Sequence, residues 1–551
     1  MSEAIWLASY PPGVAAKIDP DTYPSLHALL LAACQRHRDR PAFDFLGATM
    51  SFAEWERASG AFAGFLLDGL GRKAGDRVAL MLPNALAYPV AFLGTLRAGL
   101  TVVSVNPLYT PRELEHQLVD CGATTIVIME NFAHKLAAVI ANTAVEHVVV
   151  ARLGDLVPAL KRWAFNFANS YLRKAVPAWR FERFSMLQDA CNRPPPAALP
   201  DVHAIPDAPA VLQYTGGTTG VAKGAVLSHR NLVANTLQCH AWIGGSVDVG
   251  RERVLTPLPL YHIFSLTANM LTFACLGGLN VLVPDPRDIR RLIATMRRTR
   301  VTTMSGVNTL FNALANSPEF AQLDFGALKF AIGGGAAVQR SVADRWLAVT
   351  GSALVEGYGL TEASPVVCIN PVSHPKVGTV GLPVPGTEVS VRDDLGRSLS
   401  LGETGEVWVR GPQVMQGYWG RPEETRNTLT DDRWLKTGDI GMIDPQGFVK
   451  LLDRKKDMII VSGFKVFPNE VEEVVSRQPG VLEAAAIGVP DERSGQAVKL
   501  FVVRRDPALD EKEIRRFCVA NLTGYKVPKL IEFRDELPKS NVGKILRKEL
   551  H

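Results

Sequence analysis

The segment LQYTGGTTGVAKGAVLSH, residues 212–229, gathers residue types that hold phosphate. Gly216, Gly217 and Gly220 let backbone N–H groups turn inward onto anionic oxygens. Thr215, Thr218 and Thr219 add hydroxyl donors, and Lys223 adds positive charge. The spacing fits neither GxxxxGK[ST] nor the dinucleotide GxGxxG. It reads as a phosphate cradle of another kind, the plain alternative being a Gly/Thr surface loop. A second cluster closes the chain. In LPKSNVGKILRKELH, residues 537–551, the cations Lys539, Lys544, Arg547 and Lys548 crowd together. They form either a solvated tail or a group with an anion to meet.

These residues need elements to position them. Apolar β-branched runs alternate with helix-like segments: DRVALML, AYPVAFLGTLRAG, TVVSVN, then TTIVIM, AHKLAAVIANT and HVVVAR. That rhythm predicts an α/β fold with largely parallel sheet. From about residue 380 short strands with Gly turns predict a small β-rich subdomain, to about 452. NEVEEVVSRQPGVLEAAAIGVP, AVKLFVVRR and EKEIRRFCVANL then predict a compact α+β unit. The charged LLDRKKD, 451–457, is the boundary. The chain divides into a large N-terminal domain, 1–452, of layered αβ subdomains and a small C-terminal one, 453–551.

Composition narrows the function. Apolar residues make up 47% and charged residues 21% of 551, which is ordinary globular usage. A net charge of +5 is too dilute over this length to argue for nucleic acid. The cysteines are scattered without CxxC or ligand spacing, which predicts buried reduced thiols and a cytoplasmic setting. The N-terminus, with Glu3 and no long apolar core, does not read as a signal peptide. Residues 254–284 lack Asp, Glu, Lys and Arg, yet Pro257, Pro259, His262, Gly277 and Gly278 interrupt them. They predict a buried helix, about 264–276, running into the buried strand LNVLV rather than a span. Between Asp155 and Glu182 there is no acid, while Lys161, Arg162, Arg173, Lys174 and Arg180 interleave with Trp163, Phe165, Phe167, Tyr171 and Trp179. Residues 157–184 therefore suit peripheral contact with the inner face of a membrane; a helix packed on its own domain with its cations in water is the competing reading. RPPPAALP, 193–200, reads as a stiff linker.

YTGGTTGVAKG resembles the phosphate loop of the AMP-forming adenylating enzymes: acyl-CoA synthetases, peptide-synthetase adenylation domains and luciferases. LPLYHIFSL (258–266), GGGAAV (333–338), EGYGLTEASP (356–365), RWLKTGDIG (433–441), DRKKDMIIVSGFKVFPNEVE (453–472) and PKSNVGK (538–544) follow in the family's order. GVNTLFNAL, LTGYKVPK and FRDELPKSNVGKILR look most like bacterial long-chain fatty acyl-CoA synthetases. The resemblance implies a ligase with fatty acid, ATP and coenzyme A as substrates and Mg²⁺ as cofactor. A carboxylate attacks the α-phosphorus, giving acyl-adenylate and pyrophosphate; the coenzyme A thiol then attacks the acyl carbon, releasing AMP.

It also implies roles, residue by residue. Residues 215–224 would hold the β- and γ-phosphates. Glu362 matches the Mg²⁺ ligand, with the Thr215 hydroxyl as a second oxygen, in keeping with a hard cation that takes few protein ligands. Gly333, Gly334, Gly335, Glu356, Gly357 and Gly359 would pass close to adenine; Tyr358 would stack on it, or be a core aromatic. Thr361 would meet the α-phosphate. Asp439 matches the ribose ligand, since a carboxylate accepts from two vicinal hydroxyls, and Arg454 is a candidate beside it. His262 and Phe264 look like the acyl-site gate, a satisfied core histidine being the alternative, and Gly306 and Val307 would line the acyl tunnel. Asp453 matches the hinge on which the small domain turns between half-reactions. One of that domain's faces carries Lys544, for the α-phosphate and carboxylate; the other carries Gly463 and Lys465, for coenzyme A. Long-chain relatives often show Asn at the position of Lys465. Lys548 shares a face with Lys544 if the segment is helical, and Arg547 and Lys539 read as solvated or surface charges. A medium-chain or aryl-CoA ligase is the nearest alternative. A fatty acyl-AMP ligase is disfavoured by the lack of a long hinge insertion, and a catalytically silent acyl-binding protein by the motifs it would have lost. The expected assembly is a monomer or a homodimer.

Overall fold

The computed structural model describes residues 4–196, 206–215 and 222–550. Two large sheets carry the N-terminal part. One runs through the strands Phe330–Gly333 and Ala353–Gly359, parallel to each other and to Thr303–Gly306 and Arg253–Thr256. The other has Arg77–Met81, Thr101–Ser104, Thr125–Met129 and His147–Ala151 in parallel, with Pro209–Thr215 beside them. Strands of this kind are apolar on both faces because helices cover both. A shared core confirms it. Phe43 and Phe45 from one sheet, Val78 and Leu80 from the other, and Trp55, Phe62 and Phe92 from the helices between them form one apolar cluster. Separate clusters fill the outer face of each sheet.

The expected apolar helix is present as a continuous helical run, Ile263–Ser265 into Leu266–Leu271 and Thr272–Cys275, followed by the strand Leu279–Leu282. Among the described residues no helix is long and apolar enough to cross a membrane. The β-rich segment is a four-stranded antiparallel sheet of Glu388–Arg392, Gly405–Arg410, Leu435–Ile443 and Val449–Arg454. Beyond it, Val481–Asp491 and Gly495–Arg504 form a long hairpin covered by Pro468–Val475 and Glu511–Asn521, with a core of its own around Val471, Val475, Leu500 and Ile514. Of the expected linker, residues 197–200 lie outside the described residues.

Candidate active site

The candidate residues converge where parallel strands end. Gly306, Gly333, Gly359 and Thr215 are each the last residue of a strand. Crevices at carboxyl ends of parallel strands are where such sheets bind ligands. Thr215 pairs with Lys223 across an antiparallel hairpin, so the two residues fix both ends of the expected phosphate loop. Gly216, Gly217, Thr218, Thr219 and Gly220 themselves lie outside the described residues.

Lys223 reaches back over the site. Its Nζ stands 5.4 Å from the centre of the Tyr418 ring and 4.0 Å from Glu424. Tyr418 in turn donates its hydroxyl to Glu362 Oε1 at 2.7 Å. Burial, then the Glu362 carboxylate, pushes the Tyr418 phenol far up, so it remains a donor. Tyr418 was not singled out from sequence; QGYWG carries no chemical signature of its own. Glu362 follows Thr361 in a short 3-10 turn, and its backbone carbonyl accepts from Met415 N at 2.8 Å, which fixes where the carboxylate starts.

Asp439 and Arg454 are direct cross-strand partners in the β-rich sheet, and Arg454 Nε meets Asp439 Oδ1 at 2.8 Å. The other carboxylate oxygen accepts from the Tyr358 hydroxyl. Tyr358 is buried in the main core, so its ring is at once a core aromatic and the wall of this site. Burial raises the Asp439 carboxyl, with Arg454 and Tyr358 pulling the other way. For Arg454 burial opposes the charge, but Asp439, Tyr358 and Glu362 together hold it above its ordinary value. Arg454 therefore links the Asp439 and Glu362 halves of the site. Glu356, one strand position before Gly357, is pushed up to about 8 by burial, against a weak bond from Val338 N at 3.4 Å.

Lys544 joins this group from the far end of the chain. It is exposed, yet burial, then Arg454, lowers its ammonium, with Asp439 opposing. The same ammonium adds to burial in taking His262 down to about 4, so His262 is neutral. The Lys544 loop is built, not loose. Ser540 N donates to Lys544 O at 2.7 Å, and Gly543 has φ of 82°, which a side chain would rarely tolerate. A Cβ at Gly543 would also meet Thr309 Oγ1 at 2.9 Å and Val307 Cγ2 at 3.0 Å. The Thr309 hydroxyl donates to Gly543 O at 2.9 Å and Asn312 Nδ2 to Leu482 O at 3.1 Å, so the helix Asn308–Ala315 docks the small domain.

Two expectations change. Arg547 is not a solvated cation: its guanidinium binds both Glu472 oxygens at 3.0 and 2.8 Å and Asp453 Oδ1 at 3.1 Å, with Asp457 at 3.5 Å. Lys544 is in a turn and only Arg547–Glu549 forms a 3-10 turn, so Lys548 has no helical relation to it. Side chains already stand against the glycines expected at the adenine and acyl sites. The Phe311 ring lies against Gly306, Val338 against Gly333, and Phe264 against Gly334, where an added Cβ would meet them at 2.9, 2.5 and 3.0 Å. Val307 is buried in the outer core. Lys539 keeps its reading as a surface charge, paired with Glu483 at 2.7 Å.

The side chain of Asp453, the expected hinge, is held on one side only. The Asp453 carboxylate accepts from Arg454 N at 2.9 Å, Asn469 N at 2.8 Å and Arg547, all later in the chain, while its backbone pairs with Ile440. Gly463 and Lys465 sit elsewhere. Ser462 and Gly463 both have positive φ, at 50° and 84°, in the tight hairpin joining Ile459–Val461 to Phe464–Val466, and Lys465 is exposed.

A family model for AMP-binding enzymes matches residues 30–419, and one for the AMP-binding enzyme C-terminal domain matches residues 470–544. The chain is 53% identical over 552 residues to a long-chain-fatty-acid–CoA ligase of Yersinia pestis, covering 100% of this chain and 98% of that one. Its fold matches ATP-bound MatB from Rhodopseudomonas palustris with a TM-score of 0.82 at 30% identity, over 96% of this chain and 98% of that one. The anthranilate CoA ligase AuaEII in complex with anthranoyl-AMP gives 0.86 at 25% identity, over 97% and 98%.

Proposed function

The chain belongs to the AMP-binding enzyme family, and from that premise we propose that it is an ATP-dependent, AMP-forming ligase that joins a long-chain fatty acid to coenzyme A. The long-chain preference rests on the relative that matches it from end to end. The observations that carry the chemistry are the Asp439–Arg454 ion pair at 2.8 Å and the seating of the Lys544 loop, through Gly543, on Thr309.

In this reading the carboxylate oxygen of the fatty acid attacks the α-phosphorus of ATP, and the bond to pyrophosphate breaks. Two anions must approach one another, so cations placed in advance supply much of the barrier lowering. Lys544 serves the α-phosphate and carboxylate, Lys223 and the phosphate loop the leaving pyrophosphate, and Asp439 the ribose hydroxyls. Thr361 and the Gly357–Gly359 backbone stand at the nucleotide. Glu362 would hold Mg²⁺, which when bound would offset phosphate charge. A single carboxylate held by Tyr418 suits that ion, which takes few protein oxygens. His262, neutral, and Phe264, seated on Gly334, stand at the acyl entrance, so the ring must move to admit a chain. For the second half-reaction the small domain turns at Asp453, bringing Gly463 and Lys465 to the site. The thiol sulfur then attacks the acyl carbon, the bond to AMP breaks and the thiol proton is lost. Residues 157–184 meet the cytoplasmic face of the membrane.

The test is a panel of carboxylic acids from short to very long chain, scored separately for pyrophosphate, AMP and thioester. Long-chain acids should give all three. Reaction with aromatic acids alone would defeat the fatty acid reading, and adenylate without thioester would defeat coenzyme A as acceptor.

A further inference from the structure

Asp120 lies in the last turn of the helix Pro111–Cys121, at the negative end of the helix dipole. A carboxylate gives the helix nothing there, and its partners lie on other elements. Oδ2 accepts from the Tyr214 hydroxyl at 2.6 Å, and Oδ1 accepts from the Arg421 guanidinium at 2.9 Å. The Asp120 side chain is only 14% exposed, so both bonds are largely shielded from water. Burial, then Asp120, pushes the Tyr214 phenol far up, which keeps its proton in the bond. The helix end is itself tied down. Arg77 Nε donates to Cys121 O at 2.9 Å and its Nη2 to Gly122 O at 2.8 Å.

The two partners of Asp120 flank one strand. Lys223–Ser228 lies between Pro209–Thr215 and Gly417–Tyr418 in the sheet. Tyr214 pairs with Gly224 and immediately precedes Thr215. Its ring lies over Gly224, where an added Cβ would meet it at 3.0 Å. On the other side Tyr418 pairs with Ala225, Trp419 N donates to Gly224 O at 2.8 Å, and Arg421 N closes a turn on Tyr418 O at 3.1 Å. Arg421 also stands 3.9 Å from Glu424, the carboxylate that Lys223 approaches at 4.0 Å, so charges alternate from Asp120 to Lys223. One carboxylate thus ties down the residue before Thr215 and the turn after Tyr418, the tyrosine that holds Glu362. We propose that Asp120 is a positioning residue for the departure of pyrophosphate, holding Tyr214 and Arg421 so that Thr215, Lys223 and Tyr418 keep one arrangement. That role rests on Lys223 serving the phosphates and Glu362 the Mg²⁺, as in the proposed function.

The two half-reactions give separate readouts, because acyl-adenylate carries no β- or γ-phosphate. Asp120→Ala should lower kcat/KM for MgATP in adenylation, and for pyrophosphate in the reverse exchange, by about tenfold or more. The KM for fatty acid and thioester formation from supplied acyl-adenylate should stay unchanged. Asp120→Asn keeps one acceptor oxygen and should recover part of the loss. Arg421→Gln alters a partly exposed residue and Tyr214→Phe removes only a hydroxyl, so both should fold, and each should show part of the same split. Asp120→Ala added to those two together should lower adenylation no further, since it acts through them. Equal loss in both half-reactions with a lowered unfolding temperature would leave Asp120 a structural ion pair and overturn the proposal. So would wild-type adenylation in the single variants, or a further loss on top of the double variant. If the wild type itself forms no adenylate from any carboxylate, the ligase reading falls and this role with it; if the wild type is active and the variants show no split, this role falls alone.

Discussion

Lys544 owes its place to two neighbours of opposite kinds. Gly543 lets the loop turn against Thr309, and Arg547 ties the same loop to Glu472 and Asp453. In the proposed scheme, replacing Lys544 by Ala removes a cation that serves the first half-reaction and not the second. Adenylate formation should fall by about a hundredfold or more, while thioester formation from supplied acyl-adenylate should change little; equal loss in both would place Lys544 outside the alternating-domain scheme. Arg547→Met is expected to act differently. It leaves Glu472 and the buried Asp453 without their cation, the kind of change that costs about 3–5 kcal/mol. Thermal unfolding of the small domain should shift down sharply, and both half-reactions should suffer together. Selective loss of adenylation with unchanged stability would contradict the clasp role.

At the scale of elements, the helix Asn308–Ala315 is the seat of the small domain. It presents Thr309 to Gly543 and Asn312 to Leu482, while Glu473 reaches across to accept from Arg340 N at 3.2 Å at the start of the helix Arg340–Thr350. Two of these bonds end on backbone carbonyls, so the contact depends on position more than on the partner's side chains. A hydrogen bond of this sort contributes about 1 kcal/mol net. Thr309→Val with Asn312→Leu should therefore lower adenylation by about tenfold or somewhat more, with thioester formation from acyl-adenylate unchanged or faster as the seat is released. Pyrophosphate exchange and single-turnover thioester assays separate the two, and a slowed second half-reaction would show that this helix does not belong to the first pose alone.

Across the whole molecule, local pattern and long-range packing were unequally legible. Parallel strands, the β-rich sheet and the α+β unit follow from apolar periodicity and glycine turns, while motif order nominated Glu362, Asp439 and Lys544 as candidates for one site. What could not be read was contact between distant segments: Tyr418 on Glu362, Arg547 on Asp453, Phe264 filling the space of Gly334. Each depends on side-chain reach across elements, which one sequence does not encode locally. The same holds for His27 and His229, whose rings meet edge-to-face at 5.8 Å between two core helices. His229 Nδ1 accepts from Leu26 N at 3.2 Å, so the ring is used neutral, and burial, then His27, lowers it to about 3. A histidine lowered on folding binds more protons when unfolded. Its contribution is whole above the unfolded value of about 6.5 and is lost as pH falls toward the folded value. Asp155, raised to about 6 by burial, runs the other way, so the wild-type curve alone mixes the two. The difference between wild type and His229→Gln isolates the histidine. Relative to the variant, the wild type should lose about 2 kcal/mol between pH 7.5 and pH 5 in denaturant unfolding, and a pH-independent difference would mean that His229 is not held neutral in the fold.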